Sequence, residues 1–168
     1  MDLFNYSRRQ ATEVNIGATP MGGAHPIRIQ SMTNTVTMDT EACVEQAKRI
    51  IDAGGEYVRM TTQGVREAEN MKFINIGLRS QGYDTPLVAD VHFNPNVADV
   101  AAQYAEKVRI NPGNYVDSAR TFKQLEYTDE EYAAELEKIR RRFVPFLNIC
   151  KENHTAIRIG VNHGSLSD

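Results

Sequence analysis

The chain has no tryptophan, only two cysteines and no long apolar run. A membrane-spanning helix needs about 20 consecutive apolar residues, and a secretory signal needs an apolar core that the opening residues MDLFNYSRRQ do not contain. An excess of positive charge is also missing, since the net charge is -3 and the isoelectric point is near 5.8. These absences argue against a membrane protein and against a protein that binds nucleic acid through bulk positive charge.

The two cysteines, Cys43 and Cys150, are far apart and match no C-x-x-C spacing. Isolated cysteines in a chain without an export signal are typical of reduced thiols in a cytoplasmic protein. We expect both to be buried and to pack as small hydrophobic residues. The pair Asp90-x-His92 lacks further ligands at a helpful spacing, so no metal site is predicted.

Short β-branched runs alternate with helical segments along most of the chain. Residues 1–26 contain glycine- and proline-rich turns, which predict a short β-hairpin region. Helices are predicted between successive strands, and the predicted strands are residues 27–32, 56–61, 86–91, 107–111 and 156–162.

The interval before the last strand is longer than the others. A helical insertion is predicted there, over about residues 117–142, with a capping-box pattern at Thr128 and Glu131. Pro145 is expected to start a second helix, because a proline inside a helix removes a backbone hydrogen bond and crowds the preceding turn.

The repeated βα units predict a parallel sheet with right-handed crossovers. A doubly wound sheet and a TIM-type (β/α)8 barrel both fit this rhythm. A complete barrel takes about 250 residues, so five units would form roughly its first half. The predicted fold class is therefore α/β, the N-terminal part of a TIM-type (β/α)8 barrel preceded by a short hairpin. We expect residues 1–168 to be an incomplete barrel from a longer protein.

Three of the predicted strands carry an arginine near their centre. Because side chains alternate across a strand, Arg59, Arg109 and Arg158 share the polar face, opposite the apolar residues that would pack against helices. In a barrel that face is the interior, where guanidinium groups need counter-charges, and Asp90 is the only evident acid. Arginine binds phosphate oxygens in a bidentate manner, so the pattern predicts a ligand with phosphate groups. Arg28 lies early in its strand and is expected to be an ordinary surface residue.

Other polar residues follow the ends of the predicted strands, where barrel active sites are built. His92 could donate a hydrogen bond to phosphate or act as an acid. The loops that begin at Asn111 and Asn162 could present backbone amides to an anion. The predicted substrate-binding residues are Arg59, Asp90, His92, Arg109, Asn111, Arg158 and Asn162.

Five sequence motifs occur in an order that resembles the 4-hydroxy-3-methylbut-2-enyl diphosphate synthase family: QSMTNTVTMDT, VRMT, VADVHF, VRINPGN and IRIGVNHGSLSD. The inserted segment LEYTDEEYAAELEKI is similar to the long, three-domain form of that family. The resemblance implies an oxidoreductase of the methylerythritol phosphate route to isoprenoids. Its substrate would be 2-C-methyl-D-erythritol 2,4-cyclodiphosphate, whose ring is opened reductively to (E)-4-hydroxy-3-methylbut-2-enyl diphosphate. The resemblance also implies that the diphosphate is contacted by Arg59, His92, Arg109, Arg158 and Asn162.

The same resemblance implies a [4Fe-4S] cluster, held by three cysteines and a glutamate of a C-terminal domain, and ferredoxin or flavodoxin as electron donor. Neither Cys43 nor Cys150 fits the cluster motif. We therefore expect no cluster in this chain, catalytic residues outside it and no turnover by the chain alone. The second half of the barrel and the iron–sulfur domain are expected to be missing, which would leave an edge strand and apolar surface open to self-association.

Two other functions stay open. A pterin-binding transferase of the dihydropteroate synthase type is also a barrel that binds diphosphate, and its first loop is faintly echoed in TNTVTMDT. The other possibility is a non-catalytic phosphate-binding or assembly subunit, which a gene ending at Asp168 would favour.

Overall fold

A computed structural model describes residues 9–92, 94–117 and 126–161. Strands and helices alternate along it, as the sequence predicts. The elements are β1 (Gln30–Met32), α1 (Thr40–Asp52), β2 (Tyr57–Thr62), α2 (Val65–Arg79), β3 (Leu87–Val91), α3 (Pro95–Ala101), β4 (Lys107–Ile110), a 3-10 turn (Pro112–Asn114), α4 (Asp129–Glu152) and β5 (Ala156–Ile159).

The five strands form one parallel sheet in the order β1-β2-β3-β4-β5. Each strand pairs with its neighbour in the chain, and the order never reverses. A doubly wound sheet reverses its strand order at a switch point, whereas a barrel adds each new strand beside the last. The sheet is therefore the first part of a TIM-type barrel, which confirms the predicted fold class.

Local signals in the sequence place the helix starts. The Asp39 carboxylate accepts a hydrogen bond from the Ala42 amide at 3.0 Å at the start of α1, and Asn94 caps α3 in the same manner. These side chains satisfy backbone N–H groups that have no partner within the helix. The predicted capping box at Thr128 and Glu131 is present at the start of α4.

The main core lies between the sheet and its helices. Val58, Met60, Ala89 and Val108 point from the strands toward α1, α2 and α3 and are fully buried there. A smaller core lies on the opposite face of the sheet, where Ile16, Tyr57, Val88 and Ala156 pack together beneath Met21. The two faces are therefore those that strand alternation predicts, with the arginines on the second.

The N-terminal hairpin closes one end of this second face. Val14 and Met21 form an antiparallel bridge with backbone hydrogen bonds of 2.8 and 3.0 Å, which confirms the predicted hairpin in reduced form. The tyrosine hydroxyl of Tyr57 donates to the Thr19 carbonyl and ties the hairpin to β2. The hairpin thus lies over the amino ends of the strands and leaves the carboxyl ends open.

Three predicted boundaries are wrong. β5 ends at Ile159, before the predicted end of the strand at 162. β1 covers only 30–32 rather than 27–32, and Ile27 is exposed. Pro145 does not start a second helix, since α4 runs through it without a break. The proline lies on the exposed side of α4, while Phe146 and Cys150 are buried beyond it. Burial of those two side chains holds the segment in one helix, although the proline lacks the N–H group of a normal helical residue.

Candidate functional site

The predicted anion-binding residues lie on the inner face of the sheet. Asp90 on β3 is in register with Arg109 on β4, and Arg109 is in register with Arg158 on β5. Arg59 lies on β2, two residues before the register partner of Asp90, and therefore on the same face. The structure thus brings together the three arginines and the acid that the sequence places on one polar face.

Asp90 links two of these arginines. Its side chain is only 1% exposed. One carboxylate oxygen accepts a hydrogen bond from Arg59 Nη2, and the other accepts from Arg109 Nη1 at 3.3 Å. Since a buried carboxylate is costly without partners, the two guanidinium groups account for the presence of Asp90 in the sheet interior.

Arg109 is held from a second side. Its Nη2 donates to the Gly160 carbonyl at 2.8 Å, just past the end of β5. Its side chain is buried, so the guanidinium is fixed between Asp90 on β3 and the backbone that follows β5. The guanidinium of Arg109 is therefore held in one orientation.

Arg158 differs from the other two arginines. Arg158 is exposed and forms no ion pair with any residue that the structure describes. Arg59 is also incompletely satisfied, because its Nε is buried and has no hydrogen-bond partner within the described ranges. Both groups therefore have N–H donors that no described residue satisfies, exposed in Arg158 and buried in Arg59.

His92 and Asn111 lie at the carboxyl ends of their strands. His92 follows β3, with Nε2 4.0 Å from Asp90 Oδ1, and is partly exposed. The buried Asn111 accepts a hydrogen bond from the Gly113 amide at 3.1 Å and caps the 3-10 turn. The Asn111 side chain thus has a local structural role, which the sequence pattern did not indicate. Asn162 lies outside the described residues.

A cavity opens at this end of the sheet. Its volume is about 500 Å³, and it is lined by Thr61, Gln63, His92 and Asn94 at the ends of β2 and β3. Barrel enzymes bind their substrates at the carboxyl ends of the strands. The cavity lies on that rim, and His92 forms part of its wall.

Lys107 is a fourth cation of the inner face, and sequence reasoning did not assign it to the site. It is 6% exposed, with its ammonium group 5.4 Å from the centre of the Tyr57 ring and 3.7 Å from Met21 Sδ. Burial, and to a smaller degree the charge of Arg158, lowers the pKa of Lys107. The available signal was its position in KVRIN, on the same alternating face as Arg109.

Lys107 and Arg158 also share a cavity beneath the hairpin. It has a volume of about 400 Å³, and Arg28 and Tyr57 contribute to its walls. Arg28 itself is paired with Glu56 at 2.7 Å and donates to the Pro20 carbonyl, so it lies away from the carboxyl ends as expected. The inner face of the described strands therefore carries four cationic side chains and the single carboxylate of Asp90.

The cysteines do not form a cluster site. Cys43 lies on α1 and Cys150 on α4, and both are buried thiols, as the sequence predicts. Within the described ranges no three metal-binding side chains come together. An iron–sulfur cluster of the [4Fe-4S] type needs more thiolate ligands than these two separate cysteines supply, so the residues of this chain do not fit one.

None of the helices in residues 9–92, 94–117 and 126–161 is long and apolar enough to cross a bilayer.

Known proteins show strong similarity to the chain. It is 89% identical to a 4-hydroxy-3-methylbut-2-en-1-yl diphosphate synthase (flavodoxin) of Phocaeicola vulgatus over all 168 residues, which is 27% of that relative's length. A protein of the same name from Protochlamydia amoebophila is 52% identical over 99% of this chain and 25% of its own length. The chain thus spans about a quarter of the curated relatives it matches.

A solved structure supports the fold. The 7,8-dihydropteroate synthase from Vibrio fischeri ES114 superposes with a TM-score of 0.50, covering 92% of this chain and 68% of that one, at 13% identity. At this identity the likeness concerns the fold alone and does not favour a pterin substrate.

The family model of the GcpE TIM-barrel domain matches residues 11–168. This match covers almost the whole chain, including every described strand and the arginines of the inner face. Together with the high identity to the named synthases, it shows that the chain belongs to the GcpE TIM-barrel domain family.

Proposed function

We propose that this chain supplies part of the diphosphate-binding site of a 4-hydroxy-3-methylbut-2-en-1-yl diphosphate synthase. The whole protein would be an oxidoreductase that opens 2-C-methyl-D-erythritol 2,4-cyclodiphosphate in isoprenoid biosynthesis, as the names of the relatives support. The observation that carries the proposal is the charge imbalance of the inner face, where Arg59, Lys107, Arg109 and Arg158 meet only Asp90.

The arginines would divide the work of holding the diphosphate. Arg109 is fixed by Asp90 and Gly160, so it would present a preoriented guanidinium at little entropic cost. Arg158 is exposed and unpaired within the described ranges, so it would close on phosphate oxygens in a bidentate manner. Arg59 would add its free Nε, and His92 would contact the ligand from the rim.

Asp90, Asn111 and Asn162 belong to the same proposal with smaller roles. Asp90 would position the two arginines rather than touch an anion, because like charges repel. Asn111 shapes the turn after β4. Asn162, in the motif IRIGVN, is proposed as a ligand contact on the basis of the family resemblance.

The redox chemistry would come from outside this chain. A [4Fe-4S] cluster would supply electrons when bound in the complete protein, and the two cysteines of this chain do not fit it. Flavodoxin is the proposed electron donor, because the relatives' names include it, and ferredoxin is the alternative. The role of the described residues is to bind and orient the diphosphate.

Two further properties are part of the proposal. Isolated buried thiols fit a reducing compartment, which supports a cytoplasmic location.

The two edges of the sheet carry exposed apolar side chains, Ile27 and Ile29 beside β1 and Ile159 and Val161 at β5. We expect the 168-residue chain to self-associate through these edges when it is expressed alone. Size-exclusion chromatography with light scattering would contradict this by finding a monomer at every concentration.

Calorimetric titration of the full-length gene product with the cyclic diphosphate tests the binding role. Arg158→Gln should weaken binding by about ten-fold or more, the value of one or two charge-assisted hydrogen bonds. Arg49→Gln is the matched control, since Arg49 is an exposed arginine on α1. Unchanged affinity in Arg158→Gln would refute the assignment, and equal losses in both variants would show a general charge effect.

A further inference from the structure

Gly160 stands against the side chain of Arg109. A Cβ atom built on Gly160 would lie 2.2 Å from Arg109 Nε, 3.0 Å from Cζ and 3.1 Å from Nη2. Real Cβ atoms essentially never come within 3.0 Å of another heavy atom, so the first of these distances would force the neighbouring atoms to move. The guanidinium of Arg109 therefore occupies the space that any other residue at position 160 would fill.

The backbone at Gly160 does not itself require glycine. The positive-φ glycines among the described residues are Gly17, Gly22, Gly23, Gly54 and Gly82, and Gly160 is not among them. Its amide donates to the Ile110 carbonyl at 2.8 Å in an ordinary link between strands. An alanine could adopt this conformation, so the reason for a glycine lies in the neighbouring side chain.

The same position also anchors Arg109. The Gly160 carbonyl accepts a hydrogen bond from Arg109 Nη2, while Arg109 Nη1 donates to Asp90. A methyl group at 160 would displace the guanidinium from both acceptors together. The far end of an arginine is flexible, so Arg109 would move and the strands would stay in place.

We propose that Gly160 is a positioning residue for the anion site, because its missing side chain makes the space in which Arg109 is held. The inference deepens the proposed function and rests on it for the part that concerns ligand affinity. Arg109 and Arg158 are register partners on neighbouring strands, about 4.8 Å apart. Fixing Arg109 thus fixes one of two adjacent guanidinium groups that a diphosphate would meet.

The first readout is independent of any ligand. In the full-length gene product, the Nε–Hε resonance of Arg109 is identified by its loss in Arg109→Ala. Gly160→Ala should shift or broaden that resonance, because the guanidinium leaves Asp90 and the Gly160 carbonyl. Gly64→Ala is the matched control, since a Cβ there meets nothing within 4 Å and the residue is not among the positive-φ glycines. An unmoved resonance in Gly160→Ala would overturn the proposal.

The second readout is a double-mutant cycle with the cyclic diphosphate and, as a simpler probe, inorganic diphosphate. Gly160→Ala should weaken binding by about ten-fold when Arg109 is present and by less than about two-fold in the Arg109→Ala background. Equal losses in both backgrounds would overturn the positioning role. Wild-type affinity in Arg109→Ala would instead refute the proposed function, and the resonance of Arg109 would still decide the role of Gly160.

Urea unfolding keeps the inference testable if Gly160→Ala folds poorly. The double variant should then be as stable as Arg109→Ala alone, because the atoms that the new methyl group meets are gone. If Gly160→Ala lowers the free energy of unfolding as much in the Arg109→Ala background as in the wild type, the backbone itself needs glycine and the proposal fails.

Discussion

Arg109 and Asp90 are register partners on neighbouring parallel strands, and their side chains meet on the inner face with Arg109 Nη1 3.3 Å from Asp90 Oδ1. Asp90 also pairs with Arg59, so one buried carboxylate holds two guanidinium groups. This arrangement stabilises the cations without cancelling their combined charge. The described inner face therefore stays net positive, and Arg109 is held in one orientation.

Asp90→Asn is expected to lower the free energy of unfolding by about 3–5 kcal/mol, since removing one member of a buried ion pair leaves the rest uncompensated. Two guanidinium groups would then face each other with one neutral amide between them. Urea titration of the 168-residue chain measures the change. Asp99→Asn is the control, because Asp99 pairs with Arg142 at a more exposed position and should lose about 1 kcal/mol or less. Equal losses in the two variants would contradict the role of Asp90.

Lys107→Met should make the 168-residue chain more stable at neutral pH. Burial lowers the pKa of Lys107, so the unfolded chain binds more protons than the folded chain between that lowered pKa and about 10.5. The loss in free energy of unfolding caused by burying charged Lys107 is therefore complete below its folded pKa. This loss disappears as the pH rises through 10.5. The groups that face its ammonium are Tyr57, Met21 and Arg158.

The difference between the unfolding curves of wild type and Lys107→Met isolates this effect, because the other titrating groups are common to both. The difference should be constant at pH values below the lowered pKa of folded Lys107 and should shrink above it, as the pH rises toward about 10.5. Lys48→Met serves as the control, since Glu45 raises the pKa of Lys48 and its removal should not stabilise the chain. A pH-independent difference for Lys107→Met would mean that its gain comes from packing alone.

Strand alternation was sufficient to place Arg59, Asp90, Arg109 and Arg158 on one face, because a period of two follows from backbone geometry alone. It could not show that Asp90 bridges two arginines or that Arg158 remains exposed. Those facts depend on register and on side-chain reach, which the order of residues does not encode locally. The roles of these residues in binding remain predictions.

The sequence pattern also did not reveal the burial of Lys107, the role of Gly160 or the continuity of α4 at Pro145, because each depends on contacts with other parts of the chain. Lys107 was visible on the polar face, but its burial arises from the hairpin residue Met21, which is 86 positions away in the chain. Gly160 lay inside the predicted strand 156–162, and its role appears only in the structure, where the Arg109 side chain occupies the space beside it. Pro145 was misjudged because local propensity favours a break, while the burial of Phe146 and Cys150 favours continuity.

Both cysteines should react slowly with a disulfide reagent in the folded chain. Burial, with a smaller contribution from the charge of Asp99, raises the pKa of Cys150 to about 12. Burial also raises the pKa of Cys43. Because the thiolate is the nucleophile, labelling at about pH 8 should be at least about 100-fold slower than in the unfolded chain. The unfolded chain should show two thiols, and rapid labelling of either one in the folded chain would contradict their burial.

Pro145→Ala should stabilise α4. A proline inside a helix costs about 3 kcal/mol, of which about 0.4–1 kcal/mol is returned because it restricts the unfolded chain. Since Pro145 is exposed on α4, an alanine should raise the free energy of unfolding by about 2 kcal/mol. Urea unfolding followed by far-ultraviolet circular dichroism measures the change.

Val144→Ala is the matched control for this prediction, because Val144 is also exposed on α4 and its substitution leaves the backbone hydrogen bonds unchanged. The two alanine variants should differ clearly, with the larger gain at position 145. A loss of stability in Pro145→Ala would have a definite structural meaning. It would show that the proline helps to place Phe146 in the cluster with Tyr115 and Phe143, whose ring centres lie 6.0 Å from its own.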